Sequence, residues 1–162
     1  GPLFEALRAG GAKINCLEQE NCFPAIIDGN SFAGGPLAMS GAVSSQFISG
    51  ILLGAAQTAK GVDLRVEGGI VQSEYVAITL DIMRHFGAKI TAEKDFTRFK
   101  VAPTGYKARD LVVEADASTA TYFAALAAVT KGRVTLENLG KNTRQPDYGF
   151  FKICKNLICA EL

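Results

Sequence analysis

The sequence predicts an α/β protein built from a folding unit that is used more than once. Segments that alternate apolar and polar residues, which is typical of strands, take turns with segments of helical periodicity. A helical segment that opens with hydroxyl side chains occurs twice, and the strings around it recur 71 to 76 residues later. With 162 residues, 48% of them hydrophobic and 20% charged, the chain is long enough to bury a core.

The predicted elements follow from their periodicity and their end signals. Leu3, Phe4 and Leu7 share one face of the first helix, and Gly87 is a typical residue to end the last one. The strands alternate with a period of two, as in "VDLRVEG". We therefore predict helices at 2–10, about 44–57 and 73–86, and strands at 12–18, 24–28, 36–40 and 62–68.

Three pairs of strings indicate a duplicated unit. The string "LRAGGAKI" (7–14) resembles "MRHFGAKI" (83–90), and "TAKGVDLRVEG" (58–68) resembles "VTKGRVTLENLG" (129–140). Between them, "AVSSQFISGILLGAA" corresponds to "ADASTATYFAALAAV". Each copy is predicted to hold strands, a Ser-led helix, a strand and a helix. The predicted domain boundary lies in "VVEADAST", where a β-branched strand meets the acidic pair Glu114 and Asp116, so that 1–114 and 115–162 belong to different domains.

The charge pattern excludes two classes of partner. The net charge is +1, from 17 basic and 16 acidic residues, and no run of like charge reaches five residues. A nucleic-acid backbone or an anionic membrane would call for a basic patch. No apolar stretch reaches membrane-spanning length either. We expect any anion site to be local.

The cysteines predict free thiols and a cytoplasmic location. Cys16, Cys22, Cys154 and Cys159 form no C-x-x-C pair, and His85 is the single histidine. A structural zinc site needs a closer set of ligands, so we expect no metal. A chain of this size does not need disulfides to fold.

The start of the second predicted helix, Ser44-Ser45-Gln46 (called the doorway of the helix below), is the strongest candidate for a binding site. A helix start leaves backbone N–H groups without partners and favours negative charge. One serine suffices as an N-cap. A second hydroxyl and a carboxamide suit an anion, on which such groups converge. The residues are compatible both with capping alone and with anion binding.

The corresponding doorway of the second copy and the helix at 73–86 hold the other polar candidates. Asp116 is expected to cap its helix, since an acid is a good N-cap, whereas it would repel phosphate. Tyr75 is either a core aromatic residue or points its hydroxyl at the same pocket as Ser73 and Gln72.

Four longer strings of the sequence resemble a known family. The strings "GPLFEALRAGGAKI", "FAGGPLAMSGAVSSQ", "GGIVQSEYVAITLDIM" and "VVEADASTATYFAALAAV" are similar, in this order, to the 5-enolpyruvylshikimate-3-phosphate (EPSP) synthase family. The Ser-Ser-Gln and E-x-D-A-S-x-A-x-Y-F motifs carry the resemblance. It extends over essentially the whole chain.

The resemblance implies an activity and a fold. The family transfers the enolpyruvyl group of phosphoenolpyruvate to the 5-hydroxyl of shikimate 3-phosphate and releases phosphate, without a cofactor. Its two domains each hold three βαββαβ units, and the chain crosses between them near the E-x-D-A-S segment. This implies that 1–114 is the later part of one domain, 115–162 opens the other, and Glu114 and Asp116 lie at the hinge.

The resemblance also implies roles for residues. Ser44 and Ser45 would bind the phosphate of shikimate 3-phosphate, and Gln46 would reach toward phosphoenolpyruvate. The family has S-x-P-Y where this chain has Gln72-Ser73-Glu74-Tyr75, so Tyr75 aligns, whereas Gln72 replaces the phosphate-binding serine and Ser73 is displaced by one.

The family's catalytic groups fall outside this segment, so we expect no catalytic residue within it and no turnover by the chain alone. Its partners would be both substrates and the rest of the enzyme, with self-association through exposed unit faces. The alternatives are a segment of a UDP-N-acetylglucosamine enolpyruvyl transferase and a non-enzymatic α/β binding domain.

Overall fold

The computed structural model describes residues 1–158, and the chain divides into two compact units, one up to Arg109 and the other from Asp110. This division lies five residues before the predicted boundary. The first unit contains α1 (Pro2–Ala9), β1 (Lys13–Cys16), β2 (Ala25–Asp28), a 3-10 helix (Gly29–Ser31), β3 (Gly35–Ser40), α2 (Ser45–Ala55), β4 (Val62–Glu67), α3 (Ser73–His85), β5 (Ile90–Ala92) and β6 (Arg98–Val101). The second contains α4 (Ala117–Thr130), a 3-10 helix (Pro146–Tyr148) and α5 (Gly149–Ile158).

The α/β class is confirmed, and the predicted elements of the first unit are present. The order of the complete unit differs from the implied one. Residues 35–101 run β3-α2-β4-α3-β5-β6, which is βαβαββ rather than βαββαβ. The reason is that α3 follows β4 directly and returns the chain to the antiparallel hairpin β5–β6.

The sheet of this unit has the strand order β3-β4-β6-β5. Strands β3 and β4 are parallel, with Leu37 opposite Leu64. Strand β6 is antiparallel to both β4 and β5, and it places Phe99 opposite Leu64. The loops that follow β3 and β4 therefore emerge side by side at the carboxyl end of the parallel pair.

The core of the first unit lies between this sheet and the apolar faces of its helices. Burial follows the alternation of the strands, since Leu64 and Phe99 are fully buried while Lys100 is exposed. On the other face Arg98 holds Asp63 with two hydrogen bonds, of 2.8 and 2.7 Å. The helical residues that belong to this core are Ala6, Ile48, Ile51, Leu52, Ala55, Val76, Leu80 and Met83.

In the second unit, the strand predicted at the β-branched residues before Glu114 is not formed within the described residues. Single hydrogen bonds are found where a strand was predicted: Ala115 N–H donates to Asn138 O at 2.9 Å, and the side-chain amide of Asn138 donates to Val113 O. A strand needs neighbours on its edges, and here Val113 is three-quarters exposed.

Helix α4 carries no charged residue over its 14 positions. Its inner face packs through Ala120 and Ala124 on Phe151 of α5. Its outer face exposes Tyr122, Leu126 and Val129. A helix that is apolar all round is normally covered on every side.

Among the described residues, no helix has the length and apolar character needed to cross a membrane. Cys16, Cys22 and Cys154 are free thiols. Cys159 lies outside the described residues.

Candidate functional site

Ser44 caps helix α2. Its backbone is extended, with φ −167° and ψ 133°, and its Oγ accepts a hydrogen bond from Gln46 N–H at 3.2 Å. The bond uses the hydroxyl oxygen as an acceptor and leaves its hydrogen able to donate. The capping interpretation is therefore correct for Ser44, and it leaves a donor at the helix start for an anion.

Ser45 and Gln46 are not needed for the cap. Ser45, the first residue of α2, is only 5% exposed, yet its hydroxyl has no hydrogen-bond partner within residues 1–158. No fully buried polar side-chain atom in that range lacks a partner, so solvent still reaches this Oγ. The carboxamide of Gln46 is exposed. The start of α2 thus carries three uncharged polar side chains, of which only that of Ser44 is used as the helix cap.

Two loop contacts bring the start of α2 beside the loop that leads into α3. Gly41 N–H donates to Glu67 O at 2.9 Å, and Val71 N–H donates to Gly41 O at 3.2 Å. Gly41 has no room for a side chain, because an added Cβ would collide with Gly69 O and lie 2.7 Å from Val66. Close approach of the two loops therefore requires glycine at residue 41.

Gln72, Ser73 and Tyr75 all lie at the start of α3. Gln72 precedes the helix in the left-handed conformation, with φ 54° and ψ 55°, and its exposed side chain does not cap it. Ser73 opens the helix and is half-buried. Tyr75 is half-buried and not a core residue. A positive φ at a residue other than glycine is uncommon and costs conformational energy.

A hydroxyl pair ties the two helices together one turn further along. Thr79 Oγ1 on α3 donates to Ser49 Oγ on α2 at 2.8 Å. The starts of both helices are thus held on one side of the sheet, and so are the predicted site residues on them. An exposed carboxylate, Glu74, lies in the first turn of α3.

The start of α4, the corresponding doorway of the second copy, is closed by an acid and an amide. Asp116 Oδ1 accepts from Ser118 N–H at 3.0 Å and Asp116 Oδ2 from the Thr119 hydroxyl at 2.6 Å. Bonds from Thr119 and the Ser118 amide hold the pKa of the Asp116 carboxyl below its ordinary value. The prediction that Asp116 is a cap is correct.

Gln145 completes this closure, and sequence reasoning missed it. Its Oε1 accepts from Ala117 N–H at 2.6 Å, and its Nε2 donates to Ala115 O at 2.7 Å and to Glu114 Oε2 at 3.1 Å. It lies about thirty residues along the chain from these partners, so no local signal could have found it. At α2 the amide equivalent to Ala117 N–H is Ser45 N–H, for which residues 1–158 supply no acceptor.

The described residues contain no cluster of metal ligands, and the second unit contains a cavity. No group of three His, Cys, Asp or Glu side chains within 1–158 could hold a metal ion. The second unit has a cavity of about 770 Å³ between α4, the segment 131–139 and α5, with Leu136, Leu139 and Phe151 in its lining. Its walls are mainly apolar.

Comparison with known proteins gives one family. The model of EPSP synthase (3-phosphoshikimate 1-carboxyvinyltransferase) matches residues 1–160. The chain is 44% identical to 3-phosphoshikimate 1-carboxyvinyltransferase 2 of Halalkalibacterium halodurans over 159 residues, which is 98% of this chain and 36% of that protein. The 3-phosphoshikimate 1-carboxyvinyltransferases of Pectobacterium carotovorum and Escherichia coli are 40% and 38% identical, each over 97% of this chain and 37% of their own length.

The chain thus spans a little more than a third of the length of these curated relatives. The family model covers both repeats, with the Ser-Ser-Gln doorway of α2 and the acidic doorway of α4. The chain belongs to the EPSP synthase family.

Proposed function

We propose that this chain is a segment of an enzyme that transfers the enolpyruvyl group of phosphoenolpyruvate to the 5-hydroxyl of shikimate 3-phosphate. In that transfer the 5-oxygen bonds to the enolpyruvyl carbon, the bond from that carbon to the phosphate oxygen breaks, and the proton that the hydroxyl loses is balanced by the one that the released phosphate gains. The observation that carries the proposal is the start of α2, where the Ser45 hydroxyl lacks a protein partner. Family membership supports the reaction class.

In this proposal Ser44 and Ser45 hold the phosphate of shikimate 3-phosphate. Ser44 Oγ keeps a hydrogen to donate while it caps α2, and Ser45 Oγ donates from its buried position. The amides of the first turn add donors, and the helix dipole adds favourable electrostatics. Hydrogen bonds to a charged group are worth about 1.5–3 kcal/mol each, so two hydroxyls can carry a measurable affinity.

Gln46 takes the position between the two substrates. Its exposed carboxamide has both a donor and an acceptor, which suits contact with the hydroxyl-bearing ring on one side and phosphoenolpyruvate on the other. Gln72, Ser73 and Tyr75 line the same end of the sheet from the α3 side. Glu74 opposes an anion there, so we assign the stronger phosphate contacts to the α2 side.

We propose that 1–114 completes one domain of the enzyme, that 115–162 opens the other, and that Glu114 and Asp116 mark the crossover. The remaining part of the enzyme is the main partner. The exposed outer face of α4 supports self-association of the chain when that partner is absent. Positioning and electrostatic stabilisation by charged groups of the whole enzyme supply the catalysis, so the chain alone has no turnover. A cytoplasmic location remains the prediction.

Calorimetry with shikimate 3-phosphate tests the proposal. We expect weak binding by the 162-residue chain and its loss in the Ser44→Ala/Ser45→Ala variant. The Ser118→Ala variant is the matched control, because it removes a hydroxyl at the start of α4 and leaves α2 untouched. Absence of binding by a stably folded chain would favour the non-enzymatic α/β domain instead, and phosphate release by the chain alone would contradict the predicted lack of turnover.

A further inference from the structure

The carboxamide of Gln145 contacts three residues of the segment that enters α4. Its oxygen accepts from Ala117 N–H at 2.6 Å. Its nitrogen donates to Ala115 O at 2.7 Å and to the carboxylate of Glu114 at 3.1 Å. One side chain therefore bonds the residues on both sides of the Asp116 cap.

This arrangement provides hydrogen-bond acceptors for backbone amides at the start of α4. The first amides of a helix have no intrahelical acceptor. In α4, Asp116 takes the amide of Ser118, and Gln145 takes the amide of Ala117. A carboxamide can accept from an amide through its oxygen and donate to a carbonyl through its nitrogen at the same time.

Other bonds hold this segment or the turn that carries Gln145. Ser118 Oγ donates to Asp147 Oδ2 at 2.7 Å, and Gln145 N–H donates to Thr143 Oγ1 at 3.1 Å. Ala115 N–H donates to Asn138 O at 2.9 Å. The segment from Glu114 to Ser118 is therefore fixed to the turn at 143–147 as well as to its own helix.

We propose that Gln145 is a positioning residue, which fixes the crossover residues Glu114 and Asp116 to helix α4. Any bending of the chain between the domains then occurs before Val113. The proposal rests on the assignment of the crossover above. It needs no substrate for its test, so its failure can be told apart from failure of phosphate binding.

Amide hydrogen exchange of the 162-residue chain, measured by NMR as protection factors, tests the role. In the Gln145→Ala variant we expect protection of the Ala117 amide to fall by about tenfold, as for the loss of one hydrogen bond. The Gln19→Ala variant, which changes an exposed loop glutamine, should leave it unchanged. Amides of β4 report in every variant whether the first unit remains folded.

The Gln145→Glu variant separates hydrogen bonding from packing. A carboxylate cannot donate to Ala115 O and repels Glu114, whereas a protonated carboxyl can both donate and accept, as the carboxamide does. We expect Ala117 protection in this variant to be low at neutral pH and to recover toward the wild-type value as the pH falls. Protection that does not change with pH in Gln145→Glu, or unchanged protection in Gln145→Ala, would overturn the proposal.

Discussion

Ser44 and Asp116 are the N-caps of the corresponding helices α2 and α4, and each caps its helix through the amide two residues along. Ser44 accepts from Gln46 N–H at 3.2 Å, and Asp116 accepts from Ser118 N–H at 3.0 Å. The difference is charge. A hydroxyl leaves the α2 start open to an anion, whereas a carboxylate together with Gln145 closes the α4 start.

Replacement of the hydroxyl cap at Ser44 by a carboxylate should prevent an anion from binding at the start of α2. Ser44→Asp keeps an efficient N-cap, so we expect the free energy of unfolding to change by less than about 0.5 kcal/mol, while shikimate 3-phosphate binding is lost. Ser44→Ala loses the cap and should destabilise by about 1 kcal/mol. Urea unfolding and calorimetry on both variants measure the two effects separately. Undiminished binding by Ser44→Asp would exclude Ser44 from an anion site.

Ser45→Ala tests the hydroxyl that has no protein partner. Removing a group that makes no hydrogen bond in the fold should change the free energy of unfolding little, within about 0.5 kcal/mol. Loss of one hydrogen bond to a charged phosphate should weaken binding by about tenfold or more. Ser49→Ala, which removes one of the two hydrogen-bond partners of the Thr79 hydroxyl, is the control, with the opposite pattern expected. A large loss of stability in Ser45→Ala would assign that hydroxyl to the fold.

Gly41→Ala tests the approach of the two loops. An alanine Cβ would collide with Gly69 O, so we expect a loss of about 1–3 kcal/mol in the free energy of unfolding and weaker ligand binding. Gly50→Ala in α2 is the matched control, because nothing lies near its Cβ and the helix should gain about 0.5–1 kcal/mol. Equal stability of the two variants would mean that the loops separate freely.

Asp116→Asn tests the lowered pKa of the α4 cap. Asparagine is also a good N-cap, so stability at neutral pH should change little. The folded-state pKa of Asp116 lies below its ordinary value of 3.8, so the carboxylate stabilises the fold fully above that value, and this contribution is lost as the pH falls through the folded-state pKa. Wild type should therefore lose more stability on acidification than the variant does. Parallel curves from urea unfolding at each pH would contradict the assignment.

The elements of the first unit could be predicted because their local patterns agree with their burial. Leu64 alternates with charged neighbours, and Ile48, Ile51 and Leu52 recur at helical spacing, so periodicity alone identifies β4 and α2. The doorway at Ser44 and the cap at Asp116 were also predictable, because a cap is read from adjacent residues.

Features that depend on distant partners could not be predicted. The strand expected before Glu114 is not formed in the described part of the chain. A strand requires hydrogen-bonded neighbouring strands, and its own sequence does not show whether they are present. Gln145 meets Ala117 only after the chain turns back across the start of α4. The left-handed Gln72 gave no signal, since glycine and asparagine are the usual residues there.

An NMR titration of the 162-residue chain with shikimate 3-phosphate tests the central claim most directly. The account predicts that the amides of Ser45 and Gln46 shift progressively while that of Ser118 stays in place, and that the shifts disappear in Ser44→Ala/Ser45→Ala. Shifts centred on the start of α4, or unchanged spectra at the start of α2, would contradict it.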